Sequence, residues 1–218
     1  MLPAAVIVSA YLLGSIPFSY LVVRLFAGAD IRQHGSRNVG ATNVARTFGK
    51  LPGVIALMLD ISKGYAAVAL ARWITMRPEW PFEASATAGP LQSREFWIAL
   101  AGLIAVLAHM FPVWLRFHGG KGVATATGAF MALDPIVIAA AAIVFILVLI
   151  TTRFVSLASI VSSASIPIFF HFLGHDTPFW REMISIPIAL IIIIKHHSNI
   201  RRLASGQERK MGEPKEPG

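Results

Sequence analysis

The chain has 218 residues, 56% of them hydrophobic and 14% charged, with a formal net charge of +8 and a mean hydropathy of +0.67. Soluble domains usually carry about 25% charged residues, so this composition excludes an ordinary soluble domain. The absence of cysteine excludes disulfides, thiol nucleophiles, thiolate metal sites and iron–sulfur clusters.

Apolar runs of about 18 residues or more read as membrane helices. Seven segments are predicted: Leu2–Phe26, Leu51–Trp73, Phe96–Leu115, Gly122–Leu133, Pro135–Thr152, Val155–Leu173 and Met183–Ile194. The first has neither the charged n-region nor the cleavage site of a signal peptide, and is kept as a helix. The fourth has only about twelve residues, near 18 Å at about 1.5 Å per residue, and reads as a partial span. The expected fold class is all-α: a polytopic membrane protein with one helical membrane domain over residues 1–210 and a disordered tail over 211–218.

Lys and Arg set the expected orientation. With the N-terminus outside, seven crossings place fourteen of the nineteen basic residues on the inner side, Arg32, Arg37, Arg46, Lys50, Lys121, Arg201 and Arg202 among them. Arg72, Arg77, Arg94 and Arg181 fall outside, among six acids, and Lys63 lies within a span. The C-terminus is thus expected in the cytoplasm. Anionic headgroups and phosphate ligands account for this basic inner face, and no nucleic-acid partner is expected.

The polar peculiarities collect on that same side. In GSRNVGATNVAR, Gly35 and Gly40 permit positive φ, so that successive N–H groups can converge on an anion. Ser36, Asn38, Thr42 and Asn43 add neutral donors, Arg37 a further cation, and Arg46 a planar fork suited to phosphate. The competing reading is a solvated loop with glycine as punctuation. In HGGKGVAT, Gly119, Gly120 and Gly122 flank Lys121 just before the short helix, which lets backbone and helix N–H groups approach a phosphate. The spacing is not that of a Walker loop, and nucleotide hydrolysis is not inferred. The competing reading there is a flexible interfacial turn.

Ser156 and Ser159 stand at i, i+3 on one helix face, as candidate ligands or as packing residues. His196 and Asn199 share a face if the last helix continues through them, and they are candidates for proton movement or phosphate binding. His197 points about 100° away from His196. Asp60 and Lys63 lie inside a span at i, i+3 and read as a structural ion pair supporting the site. His109 reads as a packed histidine donating to a carbonyl. His171 and Asp176 match H-x-x-x-x-D, the signature of another glycerolipid acyltransferase group, but the topology puts them on the outer side and they are rejected as catalytic.

GSIP at 14–17, DIRQHGSRNVGATNVARTFGKLPG at 30–53, LDISKG at 59–64, HMFPVWLRFHGGKGVAT at 109–125, SLASI at 156–160 and HHSNIRRLASGQE at 196–208 together resemble the bacterial acyl-phosphate:glycerol-3-phosphate acyltransferases, in order over nearly the whole chain. The resemblance implies a seven-span protein of the cytoplasmic membrane that moves an acyl group from acyl phosphate to the 1-hydroxyl of glycerol 3-phosphate. The products are lysophosphatidic acid and phosphate, and an upstream enzyme must supply the acyl phosphate. It places an essential serine and arginine on Ser36 and Arg46, and glycerol 3-phosphate binding on Gly119–Gly122 with Lys121. A histidine, an asparagine and a structural glutamate fall on His196, Asn199 and Glu208. Two positions depart: Arg37 stands where glycine is usual, and His118 where lysine is usual. If the loop needs positive φ at 37, arginine is strained there; otherwise it adds a cation.

Acyl phosphate is already activated, so direct attack by the acceptor hydroxyl without an acyl-enzyme is expected, and no metal or coenzyme is required. An organic-phosphate transporter is the alternative, since intramembrane charge and a short helix also fit it.

Overall fold

A computed structural model describes residues 1–82, 89–173 and 179–213. Asp176 of the H-x-x-x-x-D pattern and the end of the expected tail, 214–218, lie outside the described residues. The chain forms two compact units, Met1–Leu133 and the residues from Asp134 onward.

The first unit holds α1 (Leu2–Ser15), α2 (Phe18–Ala27), α3 (Ala41–Phe48), α4 (Lys50–Thr75), α5 (Arg94–Met110) and α6 (Val123–Leu133). The expected first span is present as Leu2–Ala27, built from two helices. At Pro17, which has no N–H to donate, α1 stops at Ser15 and α2 starts at Phe18. The expected third span does reach Leu115, but its α-helix, α5, stops at Met110, ahead of Pro112, and a single 3-10 turn covers Val113–Leu115.

Small residues let these helices approach backbone to backbone, the usual basis of helix association in lipid. A Cβ on Gly64 of α4 would fall on the Thr125 carbonyl of α6, and one on Gly128 of α6 would fall on the Ile61 carbonyl of α4. Gly14 of α1 meets Ala105 of α5 in the same way. One apolar cluster, with Val6, Ala10, Ala67, Ala71, Ala101 and Ala105, fills the interior at the Trp80 and Trp97 end. A second, with Val22, Val23, Ile31, Val39, Val44, Ala56 and Leu115, lies beneath the polar 30–49 segment and pins it to α2 and α4.

The second unit holds α7 (Pro135–Thr152), α8 (Val155–Leu173), α9 (Phe179–Lys195) and α10 (His197–Ala204). The fifth and sixth expected spans coincide with α7 and α8. Asp134 caps α7 by accepting from the N–H groups of Ile136 and Val137. The seventh expected span is longer than predicted, and α9 is bent by 56° from α10.

Every regular element among the described residues is helical. By length and hydropathy five stretches can cross a membrane, or six if α9 with α10 counts as one, while α6 is a shorter apolar helix.

Candidate active site

The Gly35 loop is organised by one buried amide. Asn43, 4% exposed, accepts from the Ser36 N–H at 3.0 Å and from Thr47 Oγ1 at 3.3 Å, and its Nδ2 donates to the carbonyls of His34 and Asn38. All its hydrogen-bonding capacity is thereby engaged within the loop. Expected as a ligand donor, Asn43 instead shapes the loop that presents Ser36 and Arg37 to solvent.

Gly35 has φ +57, and a Cβ there would fall on Asn43 Oδ1 and lie 2.6 Å from Thr47 Oγ1. Gly40 does not take the positive φ expected of it. It is extended, at φ −147 and ψ 154, and begins α3 next to the Asn38 side chain. The left-handed residue is Arg37, at φ +59, where its N–H donates to the His34 carbonyl. The loop does require positive φ at the position where glycine is usual. Arg46 is half-buried in the last turn of α3, and Thr42 is exposed in its first. Just upstream, Asp30 accepts hydrogen bonds from Arg32, which hold its carboxyl down at about 2.

The glycine–lysine segment is built differently from expectation. The Gly119 N–H donates to the Met110 carbonyl at 3.1 Å and the Gly120 N–H to the His109 carbonyl at 3.2 Å. Those two amides are therefore engaged with the end of α5. What they secure is the position of Lys121, half-buried, and of Gly122, at φ +87 against Met110. The first-turn N–H groups of α6 have no acceptor within the helix, and only Gly122 separates them from Lys121.

The two loops meet. A Cβ on Gly120 would lie 2.7 Å from the Val39 carbonyl, and Leu115 shares an apolar cluster with Val39 and Val44. Beneath them lies a buried polar group from three helices. Lys63 Nζ is 2.8 Å from Asp60 Oδ1 and donates to the Ile16 carbonyl at 2.7 Å. Ser19 Oγ donates to Asp60 Oδ2 at 3.1 Å, and His109 Nδ1 lies 3.5 Å from Asp60 Oδ1. Asp60 and Lys63 do form an ion pair. His109, read from sequence as donating to a carbonyl, faces this carboxylate, and nothing in its spacing pointed to Asp60.

In the second unit Glu208 is a buried hub. Its Oε1 accepts from Ser156 Oγ at 2.6 Å and Asn199 Nδ2 at 2.7 Å, and its Oε2 from Arg202 Nε at 2.7 Å. Burial alone would raise the Glu208 carboxyl; these hydrogen bonds outweigh burial and hold it below the ordinary range. Ser159 Oγ donates back to the Val155 carbonyl at 2.8 Å and does not join Ser156. The last helix does not continue through His196, so the face expected to carry both His196 and Asn199 is interrupted at the bend. Both residues are buried, with His196 Nδ1 2.8 Å from the Ile192 carbonyl, while His197 is exposed.

The model of the glycerol-3-phosphate acyltransferase family matches residues 4–206. The chain belongs to the glycerol-3-phosphate acyltransferase family. It is 39% identical over 210 residues to the glycerol-3-phosphate acyltransferase of Desulforamulus reducens, covering 96% of each chain. It is 43% identical over 202 residues to that of Geotalea daltonii, covering 93% of this chain and 94% of the relative. Among solved structures it is similar to the crystal structure of PlsY (YgiH), an integral membrane glycerol 3-phosphate acyltransferase. The glycerol 3-phosphate form matches with TM-score 0.82 and 36% identity over 96% of each chain. The lysophosphatidic acid form matches with TM-score 0.79 and 35% identity, over 96% of this chain and 95% of that one. With its apolar helices, this acyltransferase-family chain is a multi-pass membrane protein. Between the two readings open in the sequence, family membership favours the acyltransferase over the transporter.

Proposed function

We propose that this protein transfers a fatty acyl group from acyl phosphate to the 1-hydroxyl of glycerol 3-phosphate. The acceptor oxygen forms the new ester bond to the acyl carbon, the acyl–phosphate C–O bond breaks, and the hydroxyl proton leaves on phosphate. Lysophosphatidic acid and inorganic phosphate result. Both reactants are anions, each carrying roughly −1 to −2 charges, so their approach needs cations and N–H donors to offset repulsion. The observation that carries this reading is the meeting of the two glycine-bearing loops at Gly120 and Val39, which gathers Arg46, Lys121 and the start of α6 in one unit.

In this reading Arg46, Lys121 and the first-turn amides of α6 bind phosphate, Ser36 donates to the developing oxyanion, and Arg37 adds charge. Acyl phosphate is already activated, so direct transfer needs no serine nucleophile, and the Ser159 hydroxyl is taken up by a carbonyl of its own helix. The proposed topology has seven crossings, with α6 as the short one, the N-terminus outside and the site facing the cytoplasm of a bacterial inner membrane. There water-soluble glycerol 3-phosphate and a donor made by an upstream enzyme are both within reach.

Purified protein is expected to turn over acyl phosphate with glycerol 3-phosphate and to use acyl-coenzyme A poorly. Equal rates with the two donors would remove the donor assignment. Arg46→Ala and Lys121→Ala are each expected to fold and to lose about 100-fold or more in kcat/KM. Wild-type rates in a folded variant would take that residue out of the mechanism.

A further inference from the structure

Three separate stretches of the first unit converge on one buried carboxylate. The break at Pro17 leaves the Ile16 carbonyl facing Lys63, the Lys63 ammonium is paired with Asp60, and Asp60 is also held by Ser19 of α2. The same carboxylate oxygen that pairs with Lys63 lies 3.5 Å from His109 Nδ1, and the three ionisable groups are all more than nine-tenths buried. On the other side of its ring, His109 meets the glycine–lysine loop. A Cβ on Gly120 would fall on His109 Nε2, and one on Gly119 would fall on the His109 carbonyl, which already accepts from the Gly120 N–H. Lys121 follows with no intervening residue.

We propose that His109 is a positioning residue: clamped by the Asp60–Lys63 pair, it sets where Gly120 and therefore Lys121 sit, and so governs recognition of the phosphate of the acceptor substrate. The inference rests on Lys121 acting as proposed above. The physical reason is distance. Lys121 is one peptide, about 3.8 Å between Cα atoms, from a glycine that the imidazole touches. A shift of about 1 Å in a charged ligand group costs up to about 100-fold in rate. The glycines are needed because ring and carbonyl occupy the space a side chain would take. The buried ion pair is needed because an unanchored imidazole would rotate away from them. Its partners come from α2 and α4, so the loop is referenced to two helices rather than to α5 alone.

The test uses the full-length purified protein in lipid and reads kcat, the KM for each substrate and the thermal midpoint. His109→Ala is expected to raise the KM for glycerol 3-phosphate about 10-fold or more, with the KM for acyl phosphate within about twofold. His109→Asn, which keeps a donor toward Asp60 but not the Nε2 edge against Gly120, is expected to recover little of that loss, and so is His109→Gln, whose amide reaches the Nε2 side but not Asp60. Because His109 acts through Lys121, the double variant with Lys121→Ala is expected to be no worse than Lys121→Ala alone. A lowered thermal midpoint with both KM values unchanged reduces His109 to packing and overturns the proposal, and so does a fully additive double variant. If His109→Ala does not fold, His109→Asn and His109→Gln decide it, and a wild-type KM for glycerol 3-phosphate in either overturns it. Wild-type kinetics in Lys121→Ala would instead sink the reading of the lysine itself, and this inference with it.

Discussion

Arg37 holds a left-handed backbone at φ +59 on the exposed rim of the first loop. For a residue with a Cβ that conformation costs about 1–2 kcal/mol. Its N–H is tied to His34 and the neighbouring Ser36 N–H to Asn43, so the loop cannot relax out of it without losing those bonds. Arg37→Gly removes both the strain and the charge, whereas Arg37→Ala removes the charge alone. The glycine variant should therefore be more stable than the alanine variant by about 1 kcal/mol, read as the difference in thermal midpoints of the purified proteins. Equal midpoints would mean that the strain is not there. Any loss of activity common to both variants reports the missing cation. This alternative stood open in the sequence because residue type does not state φ. The same blindness misplaced Gly40, which is extended.

At the scale of elements, hydropathy made the helices legible and local chemistry moved their ends. α7 and α8 were readable to the residue, since Asp134 and Pro135 give a capped start and Arg153, at φ +63, a turn between them. The break at Pro17 was not readable, because Pro167 and Pro187 stand inside α8 and α9 without ending them, and no proline stands at the bend at His196. The polar motifs were legible as loops near helix ends. Their mutual contact was not, since nothing in one sequence says that residue 39 lies against residue 120 or that His109 faces Asp60. The α4–α6 crossing connects these scales. Gly64 and Gly128 each sit against a backbone carbonyl of the other helix, and a carbonyl within a helix cannot swing aside as a side chain can. Gly64→Ala is therefore expected to push α6 away, with a destabilisation of about 1–3 kcal/mol. It should also reduce activity, because α6 begins two residues after Lys121. Gly89→Ala is the control, with open space around it and an ordinary negative φ. It should change neither thermal midpoint nor rate. Equal behaviour of the two variants would show that the close crossing is not needed.

For the whole molecule the open quantity is sidedness, and α6 is the element on which it turns. Its 11 residues span about 16 Å, roughly half of a hydrocarbon core about 30 Å thick. It can cross only if one of its ends is recessed, and the polar lining suited to a recessed end is Lys121 with the buried Asp60, Lys63 and His109. If α6 crosses, five crossings separate Glu79 from Ser205; if it re-enters, four do, and Arg201, Arg202, Arg209 and Lys210 would lie outside. That second arrangement opposes both the inward bias of basic residues and the membrane potential, worth about 2.3 kcal/mol per charge per 100 mV. The chain has no cysteine, so single substitutions at exposed Glu79 and Ser205 can be labelled without background. In spheroplasts, a membrane-impermeant maleimide is expected to label Glu79→Cys at once and Ser205→Cys only after lysis. Labelling of both in intact spheroplasts would make α6 a re-entrant helix and put the basic tail outside. Labelling of Ser205→Cys alone would invert the protein and carry the proposed site away from the cytoplasm.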